Sequence, residues 1–196
     1  MKHLFKYHAH DLKGLFAGTR KLSTFCTKLE KQAQQDDTYD RDKYVGDGFE
    51  FFVELLVTLL PFNRKMGGLY AYEPVQENDT GADGRASNWD GKPSLIQVKY
   101  RSNKQGLLTA NKDHLSNLLA VAVKEGIVKA DLSKEAHVFY VFTTAKGLHY
   151  YTDDTFFENN VHCVAYDDIR LLVDNNEGFW QACENIVNTI EDERSE

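Results

Sequence analysis

The stretch that decides the fold is TGADGRASNWDGKPSLIQVKYRS, residues 80–102, in which two strand-like segments flank a turn. NWDGKP is rich in turn-forming residues, so DGRAS and SLIQVKYR predict a β-hairpin. Alternation along the second strand divides its side chains between two faces, with Ile96, Val98 and Tyr100 on one and Leu95, Gln97, Lys99 and Arg101 on the other.

Three polar groups meet at one end of this predicted hairpin. Gln97 and Lys99 project from the same face of their strand, and Asp83 lies at the end of the neighbouring strand, within reach of both. Carboxylate and carbonyl oxygens, including the backbone carbonyl of Val98, bind hard cations, and an ammonium beside them contacts a water or a phosphate oxygen. The alternative is that Gln97 and Lys99 are solvated residues of an edge strand and that Asp83 only forms a turn.

The residues before the hairpin predict helices. Apolar spacing predicts one helix or two short ones in residues 11–32, and the polar stretch 32–48 predicts a loop. Asp47 is the expected N-cap of a buried helix, FEFFVELLVTLLPF, that stops at Pro61. The polar positions of that helix recur every four residues and form one edge: Glu50, Glu54 and Thr58.

The rest of the chain alternates between strands and helices. Strands are expected at 68–75, 136–145 and 161–166, with residues 146–152 pairing back onto the second of them. Helices are expected at 109–126, 167–175 and 178–190, the second capped by Asp167. The pattern predicts an α/β fold with a mixed sheet of five or six strands and helices packed against it.

Composition narrows the function classes. The chain has 196 residues, 42% of them hydrophobic and 27% charged, with no apolar run near the ~20 residues of a membrane span. The amino-terminal residues lack the apolar core of a signal peptide, so we expect a cytoplasmic protein without a membrane partner. Three distant cysteines fit neither a disulfide framework nor a zinc knuckle.

Charge is distributed unevenly. The net charge is −7, yet residues 1–35 carry seven basic and two acidic side chains, a local balance of +5. This distribution permits a local surface that binds nucleic acid.

Two further features of the sequence were considered as sites. The HxH pair of His8 and His10 lacks further ligands at the spacing of a zinc site. We expect Trp89 to pack at the hairpin tip rather than to stack on a base.

Asp83 in GADG, the QxK pattern of Gln97 and Lys99, and the upstream helix with GFEFFVELL resemble the PD-(D/E)XK nuclease superfamily, and more narrowly its Mrr-type restriction endonuclease branch. The resemblance covers roughly residues 46–119 and implies a restriction-endonuclease-like αβββαβ core. It implies a single nuclease domain, with residues 1–45 as a helical amino-terminal extension, 46–145 as the core and 146–196 as carboxy-terminal strands and helices.

The resemblance also implies roles for single residues. Asp83 matches the metal-binding aspartate, Gln97 replaces the acidic residue of the motif, and Lys99 matches the lysine that positions the nucleophilic water and stabilises charge on the phosphate. Glu50 matches the helical glutamate, with Glu54 as its rival. The expected metal ligands are therefore Asp83, Gln97, the Val98 carbonyl and Glu50.

The function implied is a Mg²⁺-dependent DNA endonuclease, with Mn²⁺ as a substitute, acting in restriction, homing, recombination or repair. Arg101, Lys104 and Lys112 are the expected contacts to flanking phosphates. Cutting both strands together requires a homodimer. Because Gln97 removes one negative charge, the alternative is a catalytically inactive module of the same fold that binds DNA or a protein; RNA is the alternative substrate.

Overall fold

The computed structural model describes residues 9–37, 40–75, 81–110, 112–127, 139–150 and 160–195, except for the side chains of residues 110, 112–117 and 150. The chain divides into two compact units: unit 1 contains residues 1–55 and 167–196, and unit 2 contains residues 56–166. The expected α/β fold with a mixed five-stranded sheet is confirmed.

The helices and strands follow one another in this order: α1 Leu12–Phe16, α2 Leu22–Gln35, α3 Arg41–Leu59, a 3₁₀ turn Arg64–Met66, β1 Tyr70–Pro74, β2 Gly84–Ser87, β3 Pro93–Lys99, β4 Leu107–Ala110, α4 Lys112–Lys124, β5 Phe139–Thr143, β6 Gly147–Tyr150, β7 Val161–Val164, α5 Tyr166–Val173 and α6 Glu177–Ser195. Of the two possibilities expected at the amino terminus, one helix or two, the structure has two, α1 and α2. Gly18, with a φ of +66°, lies between them, in a conformation that favours glycine.

Helix α3 begins earlier than the sequence predicts. The Asp40 carboxylate accepts a hydrogen bond from the Lys43 backbone N–H at 2.9 Å, the usual N-cap contact. Asp47, predicted as the cap, instead lies inside the helix, where it is buried and accepts from the Lys43 Nζ at 3.0 Å. The prediction was wrong because a Lys–Asp pair four residues apart stabilises a polar stretch as helix.

Aromatic rings fill the core of unit 1. The buried rings of Phe25 and Phe52 have centroids 4.7 Å apart, and Phe52 lies 5.9 Å from Trp180. The indole N–H of Trp180 donates to the Val173 carbonyl at 2.8 Å, so its one polar group is paired. These contacts explain why α3 is apolar on nearly all sides.

The sheet of unit 2 has the strand order β1-β2-β3-β5-β7. The pairs β1–β2 and β2–β3 are antiparallel, which confirms the hairpin, whereas β3–β5 and β5–β7 are parallel. Strand β3 is therefore central, and its residues 94–98 are all buried. On one face Leu95 packs in a cluster with Phe139 and Val141 of β5 and with Leu118 and Ala122 of α4.

Two local predictions in the second half of the chain were wrong. Residues 147–150 do not pair back onto β5; they pair in parallel with β4, a strand that the sequence analysis placed partly in a helix. Parallel pairing is possible because α4 and β5 supply the crossover that it requires. Asp167 lies inside the first turn of α5, where it accepts from Arg170 Nε at 2.9 Å, and is not the N-cap.

Within the described ranges, no helix is both long and apolar enough to span a lipid bilayer. None of the three cysteines forms a disulfide; Cys26 and Cys183 are buried and Cys163 is half-buried. Burial raises the pKa of Cys183 to about 12, so this thiol is not a nucleophile at neutral pH.

Candidate active site

Asp83 is fixed against the backbone of β3. Its N–H donates to the Ile96 carbonyl at 2.8 Å, and its carboxylate Oδ2 accepts from the Val98 N–H at 2.7 Å. The antiparallel register pairs Gly84 with Ile96, so the next step along each strand sets Asp83 beside Gln97. The Asp83 carboxylate thus accepts the hydrogen bond that a backbone carbonyl of the neighbouring strand would accept in a regular sheet. It does so at Val98, between the positions of Gln97 and Lys99.

Gln97 and Lys99 project from the face of β3 that Leu95 shares, because side chains two residues apart lie on the same side of a strand. Gln97 is only 9% exposed and its register partner is Val141, whereas Lys99 is half-buried beside Thr143. In the part of the chain that the structure describes, no hydrogen bond or ion pair engages either side chain. A central strand also rules out the alternative of a solvated edge strand.

The carbonyl of Val98 belongs to the same group of oxygens. A strand residue directs its N–H and C=O to the same neighbouring strand. Since the Val98 N–H points to Asp83, its carbonyl faces that side too, beyond Gly84, where β2 begins. Asp83, Gln97 and the Val98 carbonyl therefore occupy neighbouring positions at the end of the hairpin.

Two threonines that sequence reasoning missed hold the chain that follows Lys99. Thr143 Oγ1 donates to the Lys99 carbonyl at 2.8 Å. Thr144 Oγ1 accepts from the Arg101 N–H at 2.6 Å and donates to the Arg101 carbonyl at 2.8 Å. Both side chains are fully buried. The signal was present as two adjacent hydroxyl residues at the end of an apolar strand, which need internal partners.

We expect Thr144→Val to lower the free energy of unfolding of unit 2 by about 1–3 kcal/mol, because the part-buried backbone N–H and carbonyl of Arg101 lose this hydroxyl while side-chain volume is kept. Urea unfolding measures the effect. Thr58→Val, at an exposed threonine, is the control and should change stability by less than ~0.5 kcal/mol. Equal effects of the two substitutions would contradict a supporting role for Thr144.

Glu50 and Glu54 lie on α3 within unit 1, whereas Asp83, Gln97 and Lys99 lie in unit 2. Glu54 is 8% exposed and Glu50 is half-buried, so neither glutamate is fully open to solvent, whereas Thr58 on the same edge is exposed. Participation of Glu50 in a metal site, and its choice over Glu54, stay predictions.

The three residues predicted to contact phosphates differ in exposure and in the contacts that they make within the protein. Arg101 is exposed and donates to the Tyr100 carbonyl at 2.8 Å. Lys104 Nζ donates to the Arg101 carbonyl at 2.6 Å and lies 4.0 Å from the centre of the Tyr100 ring, so its charge helps to fold its own loop. The side chain of Lys112 lies outside the described residues. DNA contacts by these three residues stay predictions.

Several basic side chains of unit 1 form hydrogen bonds within that unit. Lys28 Nζ donates to the Ala17 carbonyl at 2.6 Å and to Thr19 Oγ1 at 2.9 Å, and burial lowers the pKa of Lys28. Arg20 donates to Glu184 at 2.7 Å, and this hydrogen bond lowers the pKa of Glu184. His10 is buried, stacks on Tyr44 and bonds to its carbonyl at 2.8 Å; His8 lies outside the described residues.

A divalent metal site at Asp83 stays a prediction, and it would depend on mixed oxygen ligands. Among the described residues, no three His, Cys, Asp or Glu side chains come together in a group that could hold an ion. Asp83, Gln97 and the Val98 carbonyl include only one carboxylate, but all three are the hard oxygen donors that Mg²⁺ and Mn²⁺ accept. This ligand set fits a weakly held divalent cation.

Comparisons with family models, with curated proteins and with solved structures give no match to this chain. The likeness to PD-(D/E)XK nucleases therefore depends on the residues described above.

Proposed function

We propose that the chain is a metal-dependent endonuclease that hydrolyses DNA phosphodiester bonds at Asp83, Gln97 and Lys99. The observation that carries the proposal is the arrangement at the end of the hairpin. The Asp83 carboxylate, 2.7 Å from the Val98 nitrogen, lies beside the strand positions of Gln97 and Lys99, and neither of those two side chains has a polar partner among the described residues. Polar groups that have no partner inside the protein are available to a bound cation and a phosphate.

The element order supports the nuclease assignment. Helix α3, strands β1 to β3, helix α4 and strand β5 follow one another as α-β-β-β-α-β, with the short β4 inserted before α4. In this arrangement the aspartate begins one hairpin strand and the QxK pattern ends the other. That placement agrees with the restriction-endonuclease-like core implied by the sequence.

Each residue has a distinct chemical task in this proposal. Asp83, Gln97 and the Val98 carbonyl would hold Mg²⁺, which supplies positive charge against the scissile phosphate and favours attack by water. The Lys99 ammonium donates hydrogen bonds to a phosphate oxygen and stabilises the negative charge that develops there. Water attacks phosphorus, one P–O ester bond breaks, and the leaving oxygen takes up a proton.

The test is cleavage of supercoiled plasmid by the purified chain. We expect nicked or linear product with Mg²⁺ or Mn²⁺ and none with an excess of EDTA, because a single carboxylate and a lysine do not activate water without the cation. Single-stranded DNA and RNA of matched length serve as competing substrates. The proposal fails if neither ion supports cleavage of DNA across a range of pH.

One observation favours the alternative of a catalytically inactive module. Gln97 stands where the motif has an acid, so the described ligand set carries a single negative charge. Calorimetry separates the two functions, because an inactive module takes up no Mn²⁺, whereas the proposed enzyme binds about one ion per chain in a manner that depends on Asp83.

A further inference from the structure

Unit 2 carries a cluster of exposed aromatic rings far from Asp83. Trp89 is 61% exposed and Phe62 is 51% exposed, and the Phe62 ring lies edge-on to Trp89 at 6.4 Å. On its other side Phe62 stacks on Tyr70, with ring centroids 4.6 Å apart and an interplanar angle of 29°. We call Phe62, Tyr70 and Trp89 the aromatic ledge. Trp89 packs against Gly68 and Phe62 at the hairpin tip, as expected, but most of its surface stays exposed.

Contacts with two glycines of the preceding turn fix the position of the aromatic ledge. Gly68 has a φ of +69°, and a Cβ there would meet the Trp89 ring at 2.8 Å, so only glycine lets the indole lie on the backbone. Gly67, with a φ of +63°, is packed on Tyr140, whose hydroxyl donates to the Gly67 carbonyl at 3.4 Å. Burial, with the nearby Asp90 carboxylate, raises the pKa of Tyr140 to about 12, so the hydroxyl stays protonated at neutral pH.

The backbone on both sides of the ledge is also constrained. Asn88 Oδ1 accepts from the Asp90 N–H at 3.0 Å and from the Lys92 N–H at 2.9 Å, which fixes the turn that carries Trp89. Phe62 has a φ of +60°, unusual for a residue with a side chain, and its N–H donates to Leu69 at 3.0 Å. Strain of this kind persists where the surrounding structure enforces it, often at binding sites.

Positive charge accompanies the rings. A cleft of about 330 Å³ next to Trp89 is lined by Arg64, Gly67 and Gly68. The segments 61–70 and 88–93 carry Arg64, Lys65 and Lys92 against Asp90, so three minus one leaves +2, in a chain whose net charge is −7. All three basic side chains are exposed. Flat exposed rings beside cations match a ligand that has aromatic faces and a negatively charged backbone.

We propose that the aromatic ledge binds a single-stranded segment of nucleic acid, with an unpaired base stacked on Trp89 and a neighbouring phosphate on Arg64. Unpaired bases expose the faces that such stacking needs, whereas duplex bases cover them by stacking on each other. Trp89 lies beyond one end of β3 and Lys99 lies at the other, roughly 20 Å away at ~3.3 Å per residue. The ledge is therefore separate from the proposed cleavage site and does not depend on it.

The test is binding of fluorescent oligothymidine in EDTA, compared with an abasic strand of equal length and charge. We expect the wild type to prefer oligothymidine by on the order of tenfold in Kd, since a stacked base contributes that order of affinity. Trp89→Ala should abolish this preference, and Trp89→Phe should largely keep it. Arg64→Ala should weaken binding of both strands.

Two control variants show whether the base preference is specific to the ledge or results from any exposed apolar or basic side chain. Leu171→Ala removes an apolar side chain that is 59% exposed in unit 1, and Lys146→Ala removes an exposed cation elsewhere in unit 2; neither should change the preference. Emission from Trp180, which is buried in unit 1, and urea unfolding show that the variants fold.

Three results would overturn the proposal: no preference for oligothymidine in the wild type, an unchanged preference in Trp89→Ala, or equal affinity for duplex of the same sequence. Lys99→Ala should bind oligothymidine like the wild type. A chain that binds through the ledge but cleaves nothing would refute only the nuclease, and a chain that cleaves without the base preference would refute only the ledge.

Discussion

We expect Lys99→Ala to lower the rate of plasmid cleavage by on the order of 10²- to 10³-fold, the effect typical of removing one donor that stabilises transition-state charge. The substitution removes an ammonium that makes no hydrogen bond or ion pair with any described residue. Its loss therefore removes no polar contact from the described part of the fold, and stability should change little. Single-turnover cleavage with saturating Mg²⁺ measures the chemical step.

Lys99→Arg tests whether charge alone is sufficient. A guanidinium is larger and planar, and it does not replace a compact ammonium at a half-buried position, so we expect most of the activity to be lost. Lys146→Ala, at an exposed lysine of the same unit, is the matched control and should cleave like the wild type. If Lys99→Ala retains more than about a tenth of wild-type activity, Lys99 does not stabilise the transition state in the way proposed.

Asp83→Asn should weaken Mn²⁺ binding by more than about 100-fold and reduce cleavage in parallel, because it removes the only carboxylate from the Asp83, Gln97 and Val98 oxygen set. The asparagine amide oxygen can still accept from the Val98 N–H, a bond of 2.7 Å in the native chain. The free energy of unfolding should then stay within about 1 kcal/mol of the wild type. Calorimetry and urea unfolding measure the two quantities separately.

Asp83→Ala separates structure from function at the same position. It removes both the charge and the acceptor, so we expect an additional loss of stability of about 1–3 kcal/mol. Glu73→Gln, at an exposed carboxylate on β1, controls for the change in net charge. A metal affinity that is the same in wild type, Asp83→Asn and Glu73→Gln would mean that Asp83 has only the structural role of ending the β2–β3 ladder.

The hairpin was predictable because its signals are local. Turn residues between two alternating segments fixed the partners of β2 and β3, and the alternation gave the shared face of Gln97 and Lys99. Burial of both faces was not predictable in the same way, since Leu95 and Val98 became buried through contacts with distant elements such as β5. The side-chain bond from Asp83 to Val98 likewise depends on the pairing of two strands.

Some predictions of secondary structure were wrong because local sequence patterns competed or were absent. Asp40 and Asp47 are both acceptable caps by type, and the Lys43–Asp47 pair stabilises the longer helix that begins after Asp40. The short strand β4 pairs with β6, which lies about 40 residues further along the chain, so no local sequence pattern predicts this pairing. Packing of Trp89 was predictable from its apolar ring, but its exposure was not, because that depends on the contact of the ring with the backbone at Gly68.

The most direct test of the account is a crystal structure of the chain soaked in Mn²⁺, examined by anomalous scattering. The account predicts an anomalous peak within ~2.5 Å of an Asp83 carboxylate oxygen and of either the Gln97 amide oxygen or the Val98 carbonyl. Lys99 should point toward the same position without binding the ion. An ion bound only elsewhere, or no ion at a concentration that supports cleavage, would contradict it.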